Sequence, residues 1–331
     1  MPSDKQLASF HLHFATSPSS TLQRAAIDGE LRDCPIRGLV WRVLLGALVG
    51  PPSVWPAQLK AQRREFETLC ERHCVDPSAA ADAPEADLSL VNPLSVEADS
   101  PFRIFFETAG QREQIENDLM RLHPGNAFFA RPDVQKPMSK ILLLWSSVHS
   151  TVGYRQGMHE LLAPLLYACW MEAEEAAGAD APTDTNGEDQ ALLTSLIRVT
   201  DVEVATWSAF VRLMSGAREF FEPGLPLTND EPAIAPSVTP LLKRCATIQG
   251  ERLSIADPSL HARLLSLQVE PQLYLLRWLR LLFGREFHLE DVSVVWDALF
   301  AFDYEERPYE GEDDDSSRAQ SPASSLATAG G

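Results

Sequence analysis

The sequence predicts an all-α protein. Apolar residues recur at helical spacing through every stretch whose composition suggests order, and no stretch shows the alternation of a half-buried strand. No internal repeat occurs. At 331 residues the chain is long enough for one large domain or two small ones, with a core in either case.

The elements follow in order. Leu22, Ala25, Ala26 and Ile27 set a first helix over 21–31, so residues 1–28 read as an N-terminal extension running into that helix. Arg37 to Leu45 reads as a second helix, ending near Gly46 or Gly50 before Pro51-Pro52. A polar helix covers 57–73. Residues 75–99 are rich in Ala, Asp, Pro and Ser and read as a flexible insertion. Helices resume over 111–122, 134–149 and, strongly apolar, 155–171. The acidic, Gly- and Thr-rich stretch 172–189 reads as a loop, and an amphipathic helix follows over 190–216. Pro223, Pro226, Pro232 and Pro236 make 222–236 irregular. The last helices cover 237–249, 257–267, 271–283 and 289–301. The main domain is thus 29–302, and 303–331 is a disordered acidic and Ser/Ala/Gly-rich tail.

The net charge of -19 comes from three segments. Residues 76–99, 172–189 and 302–331 carry -6, -7 and -6, which leaves the rest formally neutral. Acidity placed this way describes no binding face. It argues against a nucleic-acid partner or an anionic membrane footprint, either of which needs clustered Lys and Arg. Cys34, Cys70, Cys74, Cys169 and Cys245 are scattered. Cys70 and Cys74 flank His73 but have no second ligand pair, so reduced thiols are the better reading than zinc. The run Leu161 to Trp170 is too short to span a bilayer and contains Pro164, so no transmembrane segment is expected.

Two short motifs about 35 positions apart carry the chemistry: Ile115-x-x-Asp118-x-x-Arg121 and Tyr154-x-Gln156-Gly157. Residues three apart on a helix share a face, so Asp118 can hold the Arg121 guanidinium. Read alone, that pair is a surface ion pair of about 0.2–0.5 kcal/mol. Gln156 could begin or cap the helix at 155–171, and Tyr154 could be a packing residue. His123, His149 and His159 share no spacing that suggests a metal or a base. His159 and Glu160 read as helix-surface or packing residues. No P-loop, Gly-x-Ser-x-Gly elbow or His-Glu-x-x-His helix occurs, so GTP binding by a P-loop, serine hydrolysis and zinc peptidase chemistry have no support.

Arg37-Gly38-x-x-Trp41, the two motifs, and Phe287 to Trp296-Asp297 occur in an order that resembles the TBC domain, the Rab GTPase-activating family. Gln156 to Pro164 and Pro271 to Phe287 are similar, nearly letter for letter, to the subgroup typified by TBC domain family member 5. The resemblance spans roughly 29–301. It implies a two-lobed helical fold and a dual-finger mechanism, in which groups supplied in trans neutralise phosphoryl charge and orient the attacking water. On this sequence Arg121 becomes the arginine finger and Gln156 the glutamine finger. Asp118 orients Arg121 or its loop, and Tyr154 and Gly157 set the backbone that presents Gln156. Arg37, Gly38, Trp41, Trp296 and Asp297 form a structural motif, with the indole in the core and Arg37 bonding helix ends.

The same resemblance implies a Rab-family small GTPase in its GTP form as partner, with GTP and magnesium carried by that partner and no cofactor on this chain. It further implies an endosomal coat-type complex as a second partner, and a cytoplasmic protein peripheral to endosomal membranes. The chain is therefore expected to be a GTPase activator and not itself an enzyme. The alternative is a catalytically inactive Rab-binding or scaffold protein. Leu122 stands where the family commonly has Thr, which implies reduced activity. After the helix ending near Phe300 the chain enters Asp303-Tyr304-Glu305-Glu306, where the family continues with helices. The C-terminal lobe is thus expected to be incomplete, with uncovered apolar surface and lowered stability or self-association.

Overall fold

A computed structural model describes residues 1–15, 19–74, 100–179, 187–222, 239–302 and Tyr304. The insertion expected at 75–99, nearly all of that at 222–236, and the tail apart from Tyr304 lie outside the described residues. Among those described, the ordered elements are helical throughout, as the apolar periodicity predicts.

The chain opens with α1 (Asp4–Phe10), which the apolar spacing does not predict. Ser3 accepts from the Gln6 N–H while the Gln6 side chain accepts from the Ser3 N–H, a capping box legible as Ser-x-x-Gln. Then come α2 (Ser19–Ile27), α3 (Arg37–Leu44), α4 (Trp55–His73), α5 (Pro101–Leu119), α6 (Pro132–Val148), α7 (Met158–Gly178), α8 (Gly187–Leu196) and α9 (Val202–Ala217). The helix expected over 190–216 is two, since 197–201 breaks α8 from α9. The C-terminal part holds α10 (Pro240–Thr247), α11 (Leu253–Ala256), α12 (Pro258–Ser266), α13 (Leu275–Arg280) and α14 (Leu289–Phe302).

α7 is the centre of the larger lobe, packed against α3, α6 and α9. It is apolar on nearly every side from Met158 to Cys169, as a helix enclosed by others must be. α14 returns from the C-terminal part to pack on α2 and α3. There Trp296 and Phe300 meet the Trp41 indole, each at 5.6 Å between ring centroids. A second, smaller core joins Leu241, Cys245 and Leu275 with Tyr274 and Trp278 around it. Two lobes result, and on the smaller one Ile255, Leu265 and Leu273 stand exposed.

The acidic stretch expected to form a loop from 172 does not start there, because α7 continues to Gly178. Its three acids within α7 are partnered. Glu172 is buried and ion-paired with Arg42 at 3.2 Å, Glu174 accepts from the Trp170 indole at 2.7 Å, and Glu175 accepts from Ser3 at 2.6 Å. Glu172 also accepts from the Leu39 N–H at 2.9 Å, satisfying one free donor at the start of α3. Gly38 is required here, since a Cβ would lie 2.9 Å from the Cys169 backbone and 2.8 Å from the Glu172 carboxylate. Burial nevertheless pushes the Glu172 carboxyl up, to about 7, against the pull of Arg42.

Candidate functional site

Arg121 and Gln156 both stand just outside helices. α5 ends at Leu119, and the Arg121 N–H donates to the Asp118 carbonyl at 3.1 Å in the turn that follows. Asp118 makes no ion pair with Arg121, since its carboxylate accepts from Tyr154 instead. Arg121 is exposed, and its side chain has no hydrogen bond or ion pair with any described residue. Gln156 is likewise exposed and unpaired, two residues before α7 begins. It therefore lies outside the helix that its place in the sequence suggests it could begin.

Asp118 is turned instead to the second motif. The Tyr154 hydroxyl donates to Asp118 Oδ2 at 2.8 Å and lies 2.8 Å from His159 Nδ1. The phenol has one proton and gives it to the carboxylate, so Nδ1 of His159 carries its own proton and donates. Asp118, Tyr154 and His159 are all buried. His159 Nε2 then faces Glu160 Oε1 at 3.7 Å, and Glu160 Oε2 accepts from Arg285 Nε at 2.7 Å. A line of polar groups thus runs from the end of α5, through the start of α7, to the segment before α14.

Burial governs the electrostatics of this line. It lowers the His159 pKa to about 4, with Asp118 pulling the other way. It raises Glu160, with Arg285 opposing, and raises the Tyr154 phenol, helped by the Asp118 charge. The arrangement is therefore a neutral imidazole and a neutral phenol holding one carboxylate. Neither His159 nor Glu160 is the surface or simple packing residue that the spacing suggests. The available sign was a polar pair inside the apolar run Met158 to Leu166, since buried polar groups must find partners.

Gly157 holds the second motif against the smaller lobe. Its φ is +104°, a left-handed conformation that glycine alone adopts readily. A Cβ there would lie 2.9 Å from Leu281 Cδ2. Gly157 also starts α7, as its carbonyl accepts from the Glu160 and Leu161 N–H groups. Leu122, next to Arg121, is buried in the main core.

Arg37, Trp41, Trp296 and Asp297 come together elsewhere. The fully buried Asp297 accepts from the Trp41 indole at 2.7 Å and from Arg37 at 3.3 Å. Arg37 also donates to the Leu31 and Arg32 carbonyls, the Arg32 bond being 2.9 Å. The Trp296 indole donates to the Leu282 carbonyl at 2.8 Å. This set joins α3 to α14.

Among the described residues no group of three or more His, Cys, Asp or Glu could hold a metal ion, and no helix is long and apolar enough to cross a membrane. The site offers a free guanidinium and a free carboxamide on two turns fixed from beneath by one buried bond. Such groups can act on a charged, hydrated centre brought by another molecule.

The chain belongs to the Rab-GTPase-TBC domain family, whose description matches residues 106–309. It is 31% identical over 294 residues to TBC1 domain family member 5 of Mus musculus, covering 85% of this chain and 35% of the mouse protein. It is 28% identical over 381 residues to TBC1 domain family member 5 homolog B of Dictyostelium discoideum, covering 86% and 36%. The chain thus spans about a third of the length of these relatives. Its fold is similar to the Ypt/Rab-GAP domain of Gyp1p, with a TM-score of 0.61 at 19% identity, over 90% of this chain and 79% of that one. The family membership corrects the expectation that the chain is not an enzyme. A Rab-GAP domain accelerates GTP hydrolysis catalytically, whichever protein carries the nucleotide.

Proposed function

We propose that this chain accelerates GTP hydrolysis on a Rab-family small GTPase in its GTP form, with Arg121 as arginine finger and Gln156 as glutamine finger. The observation that carries this reading is the pairing of two exposed, unbonded side chains on turns joined by the buried Tyr154–Asp118 hydrogen bond. Arg121 would neutralise charge on the phosphoryl oxygens and leaving group, an effect of about 10³–10⁵ in rate for a finger supplied in trans. Gln156 offers both donor and acceptor to the attacking water. GTP and magnesium belong to the partner. An endosomal site of action and a coat-type second partner belong to the same proposal, and their support is the sequence resemblance alone.

Phosphate release from a panel of GTP-loaded Rab proteins, with wild type and Arg121→Ala in parallel, is the test. The expected result is stimulation of at least one Rab that disappears in Arg121→Ala while binding to the GTP form persists, because a finger acts chiefly in the transition state. Full stimulation by Arg121→Ala would overturn the assignment. Binding without stimulation by wild type would establish the other reading, a Rab-binding protein without catalysis.

A further inference from the structure

The end of α4 carries a thiol pair that the proposed site does not use. Cys70 and Cys74 lie one helical turn apart, close enough for each thiol to act on the ionisation of the other. Cys74 caps the helix with φ -111° and ψ 38°, and its N–H donates to the Cys70 carbonyl at 2.8 Å. Its side chain forms part of the wall of a cavity of about 590 Å³, lined also by Arg112, Glu116, Met120, Lys136 and Lys140. A small oxidant can therefore reach this thiol from the cavity.

Two cations act on it. Lys140, which pairs with Glu203 at 2.7 Å, attracts charge on either sulfur. Arg112 acts on Cys74 and has no carboxylate partner among the described residues. Its guanidinium lies 4.5 Å over the Phe105 ring, and its Nε is buried without a hydrogen bond. The neighbouring Cys70 thiol is the largest influence holding the Cys74 pKa below its ordinary value, with Lys140 and Arg112 adding to it. Burial and Glu203 oppose, as does the negative end of α4. The remaining thiols behave otherwise: burial pushes up Cys34, Cys245 and Cys169, the last to about 12. Thiolate character and access decide which cysteine oxidises: access disfavours the buried Cys169 and Cys245, and between the half-buried Cys34 and Cys74 the neighbouring thiol and cations favour Cys74.

We propose that Cys74 is an oxidation site for hydroperoxides, with Cys70 as the resolving thiol that closes a Cys70–Cys74 disulfide. The Cys74 thiolate attacks one oxygen of the peroxide. The S–O bond forms, the O–O bond breaks, and the departing oxygen leaves as water or an alcohol after taking a proton. Cys70 then attacks the Cys74 sulfur of the sulfenic acid. The S–S bond forms, the S–O bond breaks, and hydroxide leaves as water with the Cys70 proton. Two thiols are oxidised by two electrons, and the peroxide is reduced by the same two.

Closure requires some movement. Side chains four apart on a helix have Cβ atoms about 5–6 Å apart, while a disulfide needs about 3.5–4.5 Å. Cys74 has already left helical geometry, so the last turn can tighten without breaking a continuous helix. A disulfide made under that constraint is readily reduced again, which makes the modification reversible. The cavity wall includes Glu116 and Met120, and Met120 immediately precedes Arg121.

The test is limiting hydrogen peroxide on the reduced full chain, read by peptide mass spectrometry. The Cys70–Cys74 disulfide should appear first, with Cys34, Cys169 and Cys245 still reduced. In Cys70→Ser, Cys74 should accumulate as a sulfenic acid that dimedone traps. In Cys74→Ser, Cys70 should stay reduced at the same dose. Oxidation spread evenly over the five thiols would overturn the proposal, as would equal oxidation of Cys70 in Cys74→Ser. Should a serine variant fail to fold, iodoacetamide labelling of wild type against pH decides. Cys74 must then alkylate ahead of the other four thiols, and labelling no faster than Cys34 would overturn the assignment.

Discussion

The Tyr154 hydroxyl donates to the Asp118 carboxylate at 2.8 Å, joining the segment that ends in Arg121 to the segment that presents Gln156. The two side chains are 36 residues apart in sequence, and both are buried. Tyr154→Phe deletes one hydroxyl and leaves a buried carboxylate and a buried imidazole each short of a partner. The expected cost is about 1–3 kcal/mol. The loss should be local. Amide hydrogen exchange at 120–123 and 154–157 should quicken more than exchange in α9, and on a responsive Rab the variant should lose kcat with KM little changed. A uniform rise in exchange across the chain would reduce the bond to general stability.

Gly157→Ala probes how the glutamine turn is seated. At φ +104° an alanine is strained by about 1–3 kcal/mol, and its Cβ meets Leu281 Cδ2 at 2.9 Å. Leu281 can shift, so the chain should fold with a lowered melting temperature. The Gln156 turn, however, must move off the smaller lobe. Stimulation should therefore fall to the level of Gln156→Ala while the Arg121 contribution persists. Unchanged phosphate release in a variant shown to be folded would mean that Gln156 needs no such seat.

Much of this was legible in the sequence. The helices over 21–31, 57–73 and 289–301 follow from apolar spacing, and a Pro at the start or a Gly at the end punctuates several of them. Helix ends were the weak point, for a physical reason. Arg121 falls in the turn after α5 because tertiary packing fixes Leu119 and Leu122, which local periodicity cannot show. The acids from Glu172 onward read as a solvated loop because composition cannot reveal that Arg42 is folded against Glu172, or that Trp170 and Ser3 donate to Glu174 and Glu175. For the same reason Asp118 looks like the partner of Arg121, its neighbour in sequence, when its partner is Tyr154. Long-range polar pairing is the information that one sequence lacks.

Asp297 offers a test of the scaffold apart from the site. Asp297→Ala leaves the Trp41 indole N–H and the Arg37 guanidinium without their carboxylate, Trp41 being fully buried. Breaking a buried charged pair in this way costs about 3–5 kcal/mol. Asp297→Asn should cost less, since its carbonyl can still accept from the indole. Thermal melts should rank wild type above the asparagine variant, and that variant above the alanine one. Phosphate release per folded molecule should stay near wild type in both, because neither variant touches Arg121 or Gln156.

His159 sets an acid limit on the fold. Its pKa falls from an ordinary 6.5 to about 4 because burial disfavours the charged ring. The unfolded chain therefore binds this proton more readily than the folded one across that interval, and stability rises with pH there. The His159 contribution is complete above about pH 6.5 and is lost as pH falls from there towards about 4, a loss on the order of 3 kcal/mol. A protonated ring would also put a charge beside Arg285, and Asp118 compensates for it only in part. His159→Asn keeps an amide N–H able to donate towards Tyr154 but cannot titrate. Denaturant unfolding at pH 7, 6 and 5 should show wild type losing stability faster than the His159→Asn variant, with the gap opening below pH 6.5. Parallel curves would mean that the His159 pKa is the same in the folded and the unfolded chain, so that burial does not hold the ring neutral.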